Sequence, residues 1–505
     1  MSAPSLSESE PIDGVANRLS YRLAKRSGVA LAPGRHSYRL LCREESAPLQ
    51  FEVLQDIQRR LGRAEQCEWL DAEAFEAQLG ALYDSDRANN ETLLEGLAEH
   101  VDLAGLMQEL PRAEDLLESE NEAPVIRLIN GVFSEALRLS ASDIHVEPFE
   151  RDLVIRMRVD GAMREALRPP RVLAPVLISR IKVMARLDIA EKRQPQDGRI
   201  TVRAAGRDVD IRVSTLPGIH GERVVMRLLD KQASLLDLER LGMPPAMLDR
   251  YRRVLRQPNG ILLNTGPTGS GKTTTLYASL NALNDRTRNI LTVEDPVEYS
   301  IPGIGQTPVN PHAGLTFARG LRAILRQDPD VIMIGEIRDQ ETAATAVQSS
   351  LTGHLVLSTL HTNSALGAIL RLRDMGIEPF LLATSLKGVM AQRLVRRLCP
   401  ECRRWRPCTE QERHWFEGLE RLERLAEPVG CEHCDHSGYR GRLGLYEFIA
   451  IDERLAGMIH DCASEAALAE YAFGQAGAQR LAQAALARLA AGETGLDEVL
   501  RAIHR

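Results

Sequence analysis

The stretch GILLNTGPTGSGKTTTLYASLNAL, residues 260–283, decides the fold. A short apolar run leads into a glycine-rich loop, and a helix-compatible run follows. Gly266–Thr273 matches G-x-x-x-x-G-K-[ST]. Glycine carries no Cβ, so backbone N–H groups can converge on phosphate oxygens there. The following helix N-terminus adds its dipole. The candidate nucleotide-binding residues are therefore Gly266, Pro267, Thr268, Gly269, Ser270, Gly271, Lys272 and Thr273. Lys272 is expected to reach the β and γ phosphates of ATP, and Thr273 to ligate Mg²⁺. The bland alternative is a glycine-rich turn, which the strand–loop–helix context disfavours.

Outward from that loop, short apolar runs alternate with helical stretches. NILTVE, DVIMIG and HLVLST repeat the pattern of GILLNT. This is the grammar of parallel strands with helical crossovers. Two of the runs end in acids. DPDVIMIGEIRD ends its apolar part at Gly335-Glu336, and a carboxylate there suits a metal ion or its water. NILTVEDPVEY supplies Glu294, Asp295 and Glu298. Glu294 is the expected base, because it sits nearest the C-terminal end of its strand, where open α/β sheets bind ligands. HLVLSTLHTN adds His354 at its start and His361 just past its end. His361 is placed to sense the γ-phosphate, whereas His354 reads as well as a structural histidine.

The chain has 505 residues, 44% hydrophobic and 26% charged, which suits a soluble protein of three or four domains. LVIRMRV ends at Asp160-Gly161, a hairpin signal. RITVRAAGRDVDIRVSTLP reads as a second hairpin and ERVVMRLLD as a further strand, after a helix over VIRLINGVFSEALRL. Residues 84–122 hold twelve acids against two arginines, and ELPRAEDLLESENEAP, residues 109–124, reads as an exposed linker. After about residue 440 the chain is Ala- and Leu-rich and is expected to be helical. The net charge of −7, with no basic–aromatic face, argues against nucleic acid as a partner. The first residues lack the basic and apolar segments of a signal peptide, and no run reaches the roughly 18–20 apolar residues of a spanning helix. A cytoplasmic location is expected.

CPEC (Cys399, Cys402) and CEHC (Cys431, Cys434) are separated by 28 residues. Four thiolates complete a closed tetrahedral site for structural Zn²⁺. Disulfides are the rival reading, disfavoured in a reducing compartment, and Cys408 and His433 are spare ligands. The insert TEQERHWFEGLERLERL reads as a helix with Trp415, Leu419 and Leu422 on one face, folded over the site.

GPTGSGKT, LTVEDPVEY, DPDVIMIGEIRDQET and TGHLVLSTLHTN, in that order, resemble the Walker A, Asp box, Walker B and His box of the secretion ATPase superfamily. SDIHVEPFE, EKRQPQDGRI, RVSTLPGIHGERVVMRLLD and AQRLVRRLCPEC resemble its other shared segments. The tetracysteine element resembles the type II secretion assembly branch most closely. The resemblance implies a RecA-like P-loop ATPase domain, residues 239–505, after an α+β, PAS-like second domain, residues 116–238, and an N-terminal α/β docking domain with its linker, residues 1–115. Within the ATPase domain it implies a core at 239–397, the zinc element at 398–440 and a helical end at 441–505. It implies a homo-hexamer that hydrolyses ATP to drive pseudopilus assembly. The N-terminal domain would dock the cytoplasmic domain of an inner-membrane component, beside a membrane platform protein. Arg212, Arg227, Arg322 and Arg326 match family arginines that contact nucleotide within or across protomers. The arginine-rich AQRLVRRLCPECRRWR faces acidic phospholipid or an acidic partner, or else covers apolar surface with its stems. A pilus extension ATPase and, further off, a nucleic-acid translocase are the alternatives.

Overall fold

The computed structural model describes residues 19, 24, 26–33, 38–44, 50–72, 74, 75, 78, 79, 82, 123–204, 207–230, 237–415 and 418–503. The linker reading of residues 109–124, apart from its last two residues, and the boundary at 115 lie outside the described residues. The chain divides into two compact units, Met1–Leu106 with Thr201–Asp208, and Met107–Ile200 with Val209–Arg505.

In the first unit, β1 (Val29–Pro33) pairs antiparallel with β2 (Tyr38–Arg43), and β3 (Gln66–Leu70) pairs parallel with β2. The helix α1 (Gln50–Leu61) supplies the crossover between β2 and β3 that a parallel pair requires. Val29, Leu31, Tyr38 and Ile57 form one small core and Ala30, Leu41 and Phe75 another.

The second unit opens with α2 (Ala123–Arg138). Val125, Leu128, Ile129, Val132, Phe133 and Ala136 are buried at helical spacing, as the sequence expects. A six-stranded sheet follows in the order β6-β5-β4-β9-β8-β7. Its members are β4 (Asp143–Pro148), β5 (Leu153–Val159), β6 (Ala162–Leu167), β7 (Gln196–Ala204), β8 (Arg207–Leu216) and β9 (Arg223–Asp230), with α3 (Ala174–Met184) between β6 and β7. The turn between β5 and β6 is Asp160-Gly161, both at positive φ (50° and 84°), which matches the twist of a tight hairpin. The central strand β4 lies in SDIHVEPFE, which periodicity alone does not reveal as a strand.

The next sheet has seven strands in the order β12-β11-β13-β14-β10-β15-β18. After α4 (Pro245–Leu255) come β10 (Gly260–Thr265), α5 (Lys272–Leu283), β11 (Ile290–Glu294), β12 (Gly305–Pro308), α6 (Phe317–Ile324), β13 (Val331–Ile334), α7 (Gln340–Leu351), β14 (Leu355–Leu360), α8 (Ala365–Asp374) and α9 (Pro379–Ser385). β15 (Leu386–Leu398) then joins β10 in parallel. β10, β13 and β14 are buried along their whole length. Ile261 and Leu263 pack into one layer with Ile332, Ile334 and Val356, while Leu262 packs into the other with Leu276, Met333 and Leu357. Helices therefore cover both faces, as parallel sheets require.

Two expectations fail here. TEQERHWFEGLERLERL is not a helix. It holds two short 3₁₀ turns inside a hairpin of β16 (Arg404–Pro407) and β17 (Arg424–Glu427). Gly418 at φ +91° breaks the path. Glu412 accepts hydrogen bonds from the Thr409 N–H and hydroxyl, both at 2.9 Å, local bonds that compete with a helix. Leu419 is buried but Trp415 is exposed. Nor is the chain helical directly after residue 440. Tyr439–Ala450 is β18, antiparallel to β15. Only then do α10 (Glu453–His460), α11 (Glu465–Ala469), α12 (Leu481–Ala490) and α13 (Leu496–Ile503) follow. Among the described residues no helix is long and apolar enough to cross a membrane.

Candidate active site and metal cluster

The C-terminal ends of β10, β11, β13 and β14 lie along one edge of the sheet. At β10 the chain enters the loop Gly266–Gly271. Gly266, Gly269 and Gly271 have φ of 147°, 78° and 88°, conformations that only glycine adopts without strain. A Cβ at Gly266 would lie 2.5 Å from the Gln392 carbonyl oxygen. Pro267, Thr268 and Gly269 are exposed, whereas the buried Ser270 hydroxyl has no hydrogen-bond partner. Lys272 is buried, and its ammonium donates to the Gly266 and Pro267 carbonyls at 2.8 and 3.1 Å. Burial lowers its pKa to about 8. Glu336 opposes that shift and Arg393 adds to it. Thr273 stands exposed in the first turn of α5. An unpartnered hydroxyl and a buried cation beside a glycine-rich loop suit a polyphosphate with its Mg²⁺.

Glu336 lies two residues past β13. It contacts the Arg338 guanidinium and, at 3.3 Å, His361 Nε2. Burial pushes its carboxyl up, but Arg338 and then His361 outweigh burial and hold it below the ordinary carboxylate range. Glu336 thus lies beside His361 and acts on Lys272 through space. His354 does not join them. It precedes β14 at the opposite end of the strand, its Nδ1 2.8 Å from the Ser349 carbonyl oxygen.

Glu294 is 3% exposed. Its carboxylate accepts from the Tyr277 phenol, from Thr292 Oγ1 at 2.5 Å and from Gln306 Nε2 at 3.0 Å. Burial, and then the charge of Glu294, push the Tyr277 phenol up, so it stays a donor. Tyr277 projects from α5, the helix that begins at Lys272, and so ties the phosphate loop to Glu294. Sequence reading misses it, because a tyrosine in a helix reads as core. Asp295, next along, is exposed.

Arg212 and Arg227 are cross-strand partners on β8 and β9, beside Asp143 of β4. Arg212 Nη2 donates to the Val297 carbonyl at 2.6 Å, and Nη1 lies 3.2 Å from Glu298. It therefore grips the segment that carries Glu294. Arg227 Nε donates to Asp143 at 2.9 Å, and Arg227 remains exposed. Arg322 on α6 pairs with Glu341 of α7 at 2.6 Å. Arg326 lies past the end of α6 and donates to the Arg322 carbonyl at 2.9 Å. Of the four arginines, only Arg212 is bonded to the acid-bearing segment.

Sequence reading also misses Gln392 of β15. Its Nε2 donates to the Ser270 carbonyl at 2.7 Å, and its Oε1 accepts from Thr275 Oγ1 at 2.9 Å. The arginines around it suggest a face for acidic lipid in the sequence, yet Arg393 is buried and Arg396 stacks on Tyr439 and pairs with Glu498 at 2.7 Å. Those two are held inside the protein by polar and aromatic partners.

Cys399, Cys402, Cys431 and Cys434 bring their sulfurs within 4.8 Å of one another. Cys399–Cys431, Cys402–Cys434 and Cys431–Cys434 are separated by 3.9, 3.8 and 3.8 Å. Four sulfurs about 2.3 Å from one tetrahedral ion would stand about 3.8 Å apart. No disulfide links them. The Cys431 and Gly438 amides donate to Cys434 Sγ, and the Gly430 amide to Cys402 Sγ, bonds that favour thiolate. The cluster can therefore hold a metal ion. The spare candidates stand apart, with Cys408 beside the Thr409 carbonyl and His433 beside Arg440.

Comparison with known proteins agrees with this geometry. A family model described as type II/IV secretion system protein matches residues 118–501, and one for an N-terminal domain of GSPII protein E matches residues 18–83. Type II secretion system protein E of Aeromonas hydrophila is 54% identical over 485 residues, 96% of each chain. Type II secretion system ATPase E of Vibrio cholerae is 54% identical over 457 residues, 90% of each. Among solved structures, the pilus retraction motor PilT with bound ADP matches with a TM-score of 0.51 at 26% identity, covering 73% of this chain and 95% of PilT. The fold is that of the RecA-like P-loop ATPases.

Proposed function

The chain belongs to the type II/IV secretion system protein family, and from that premise we propose that it is the ATP-hydrolysing motor of a type II secretion system. The observation that carries this reading is the meeting of Lys272, Glu336 and His361 at the carboxyl edge of the sheet.

ATP is the substrate. Glycine amides of the loop and the Lys272 ammonium bind its phosphates, and the helix dipole of α5 adds to them. Thr273 and Glu336 would hold Mg²⁺, which would supply positive charge to a bound polyphosphate. Glu294 is the base for the attacking water, and Tyr277, Thr292 and Gln306 orient it. His361, beside Glu336, senses the γ-phosphate. Arg212 and Arg227, with Arg322 and Arg326, stabilise phosphate charge when the nucleotide is enclosed. For Arg212 this means exchanging Val297 and Glu298 for the phosphates. The four cysteines hold a structural Zn²⁺, which keeps the 398–440 element folded.

The motor works as a homo-hexamer that assembles a pseudopilus. The N-terminal segment docks the cytoplasmic domain of an inner-membrane component, which holds the motor at the cytoplasmic face near the platform protein. The match of residues 18–83 to an N-terminal domain of GSPII protein E supports this.

The test is ATPase rate per protomer against protein concentration, with and without that cytoplasmic domain, for wild type and Glu294→Gln. The rate should climb with concentration and partner. The mutant should bind ATP and turn over at least ~10³-fold more slowly. A flat rate that the mutation leaves untouched would end the motor reading.

A further inference from the structure

Behind the phosphate loop, β15 buries two consecutive polar residues, Gln392 and Arg393, at 1% and 5% exposure. Gln392 grips the loop through Ser270 and Thr275, as described above. The Arg393 guanidinium lies against the back of Gly266, where a Cβ would come within 3.3 Å of Nη1. All its hydrogen bonds go to neutral acceptors. Nε donates to the Ala502 carbonyl at 3.2 Å and Nη1 to the Gln392 carbonyl at 3.2 Å. Nη2 donates to the Asn363 carbonyl at 3.0 Å and to its Oδ1 at 3.2 Å. Among the described residues no carboxylate forms an ion pair with it, and Glu447 acts on it only through space.

Arginine stays charged in proteins, and a buried charge without a counter-ion is costly. The carbonyl end of α13 offers only a partial negative charge. An anion held in the phosphate loop would supply the missing balance. We propose that Arg393 is a positioning residue of the nucleotide site, whose charge acts from behind the loop on a bound nucleoside polyphosphate, while Gln392 fixes the loop's shape. This rests on the reading of residues 266–273 as that site. The same guanidinium holds Asn363, two residues after His361, and the last turn of α13. Phosphate affinity is thereby tied to the seating of both segments.

The full-length Arg393→Met and Arg393→Lys variants test this by ATP affinity with Mg²⁺ and by Tm without and with ATP. In Arg393→Met the unliganded Tm should change little, because loss of an unbalanced buried charge offsets the acceptors left without a donor. Its Kd for ATP should rise about tenfold, and the Tm gain on adding ATP should shrink. Arg393→Lys keeps the charge and should stay within about threefold of wild type. An Arg393→Met protein that binds ATP as wild type does, or that loses unliganded Tm while keeping the full gain with ATP, would leave Arg393 a purely structural residue. If Arg393→Met does not fold, Arg393→Lys decides. Near-wild-type affinity supports the charge role, and tenfold weaker binding overturns it. Wild type that binds ATP no better than Lys272→Ala would instead overturn the nucleotide-site reading, and this inference with it.

Discussion

Lys272 is buried and donates to two carbonyls of its own loop. Its pKa of about 8 lies below the 10.5 of an exposed lysine. Between those values the unfolded chain holds a proton on this amine that the folded chain has released. Its contribution to stability therefore rises with pH across that window and is smallest below it. Phosphate acts in the opposite sense, because an anion favours the ammonium. ATP binding should take up a proton above about pH 8, so affinity should be level below that pH and fall by up to about tenfold per unit above it. Kd for ATP measured from about pH 6.5 to 9.5 checks this. A flat profile would mean that the ammonium charge is not used. Glu336 contrasts with Lys272. Arg338 and His361 keep it ionised, so it is a ready metal ligand across the same range.

The hairpin of β16 and β17 shows what a single element conceals. Residues 409–425 carry helix-favouring letters, but the two strands must pair across them, and Glu412 is drawn to Arg406 at 2.5 Å and to Thr409. The cysteine pairs lie where this hairpin meets β15 and β18, so a bound ion would tie four chain segments together. Cys431→Ser should release zinc and lower Tm by about 5–10 °C, since structural zinc sites contribute several kcal/mol to folding and a 1 kcal/mol loss moves Tm by about 2–4 °C in a domain this size. Metal content and a melting curve on the same preparation check it. An unchanged Tm with zinc lost would make the ion incidental. The strands GILLNT, NILTVE and HLVLST are legible because buried parallel strands are short unbroken apolar runs. β15 is not, because its buried Gln392 and Arg393 are polar letters whose partners lie about a hundred residues away in the chain.

Across the molecule, specific bonds join the six-stranded sheet and the helix α2 before it to the elements around the seven-stranded sheet. Arg212 holds Val297 and Glu298, Arg138 reaches Asp435 at 3.0 Å, and the Gly441 amide donates to Asp160 at 2.8 Å. The six-stranded sheet thus touches the Glu294 segment and β18, and the helix α2 before it touches the cysteine element. A movement of the first sheet would bear on both. Residues 18–83 carry none of the catalytic candidates. A chain lacking residues 1 to about 90 should keep its ATP affinity within about twofold and lose recruitment to membranes that contain the inner-membrane partner. Flotation with such vesicles, beside a nucleotide-binding titration, checks both halves. Recruitment that survives the deletion would remove the docking role from this segment.

Features with local chemistry were legible in the residues alone: the glycine loop before a helix, an acid at the end of an apolar strand, two CxxC pairs. Each depends on residues a few positions apart, where backbone freedom, helix dipole and ligand spacing leave little choice. Which groups meet depends on the folded chain. It set Arg212 across from Arg227 and turned it to Val297. It enclosed Glu294 among three donors and put Gln392 and Arg393 behind the phosphate loop. Those choices depend on strand register and on packing between distant segments. One face of a strand looks polar in sequence whether it meets water or a buried partner.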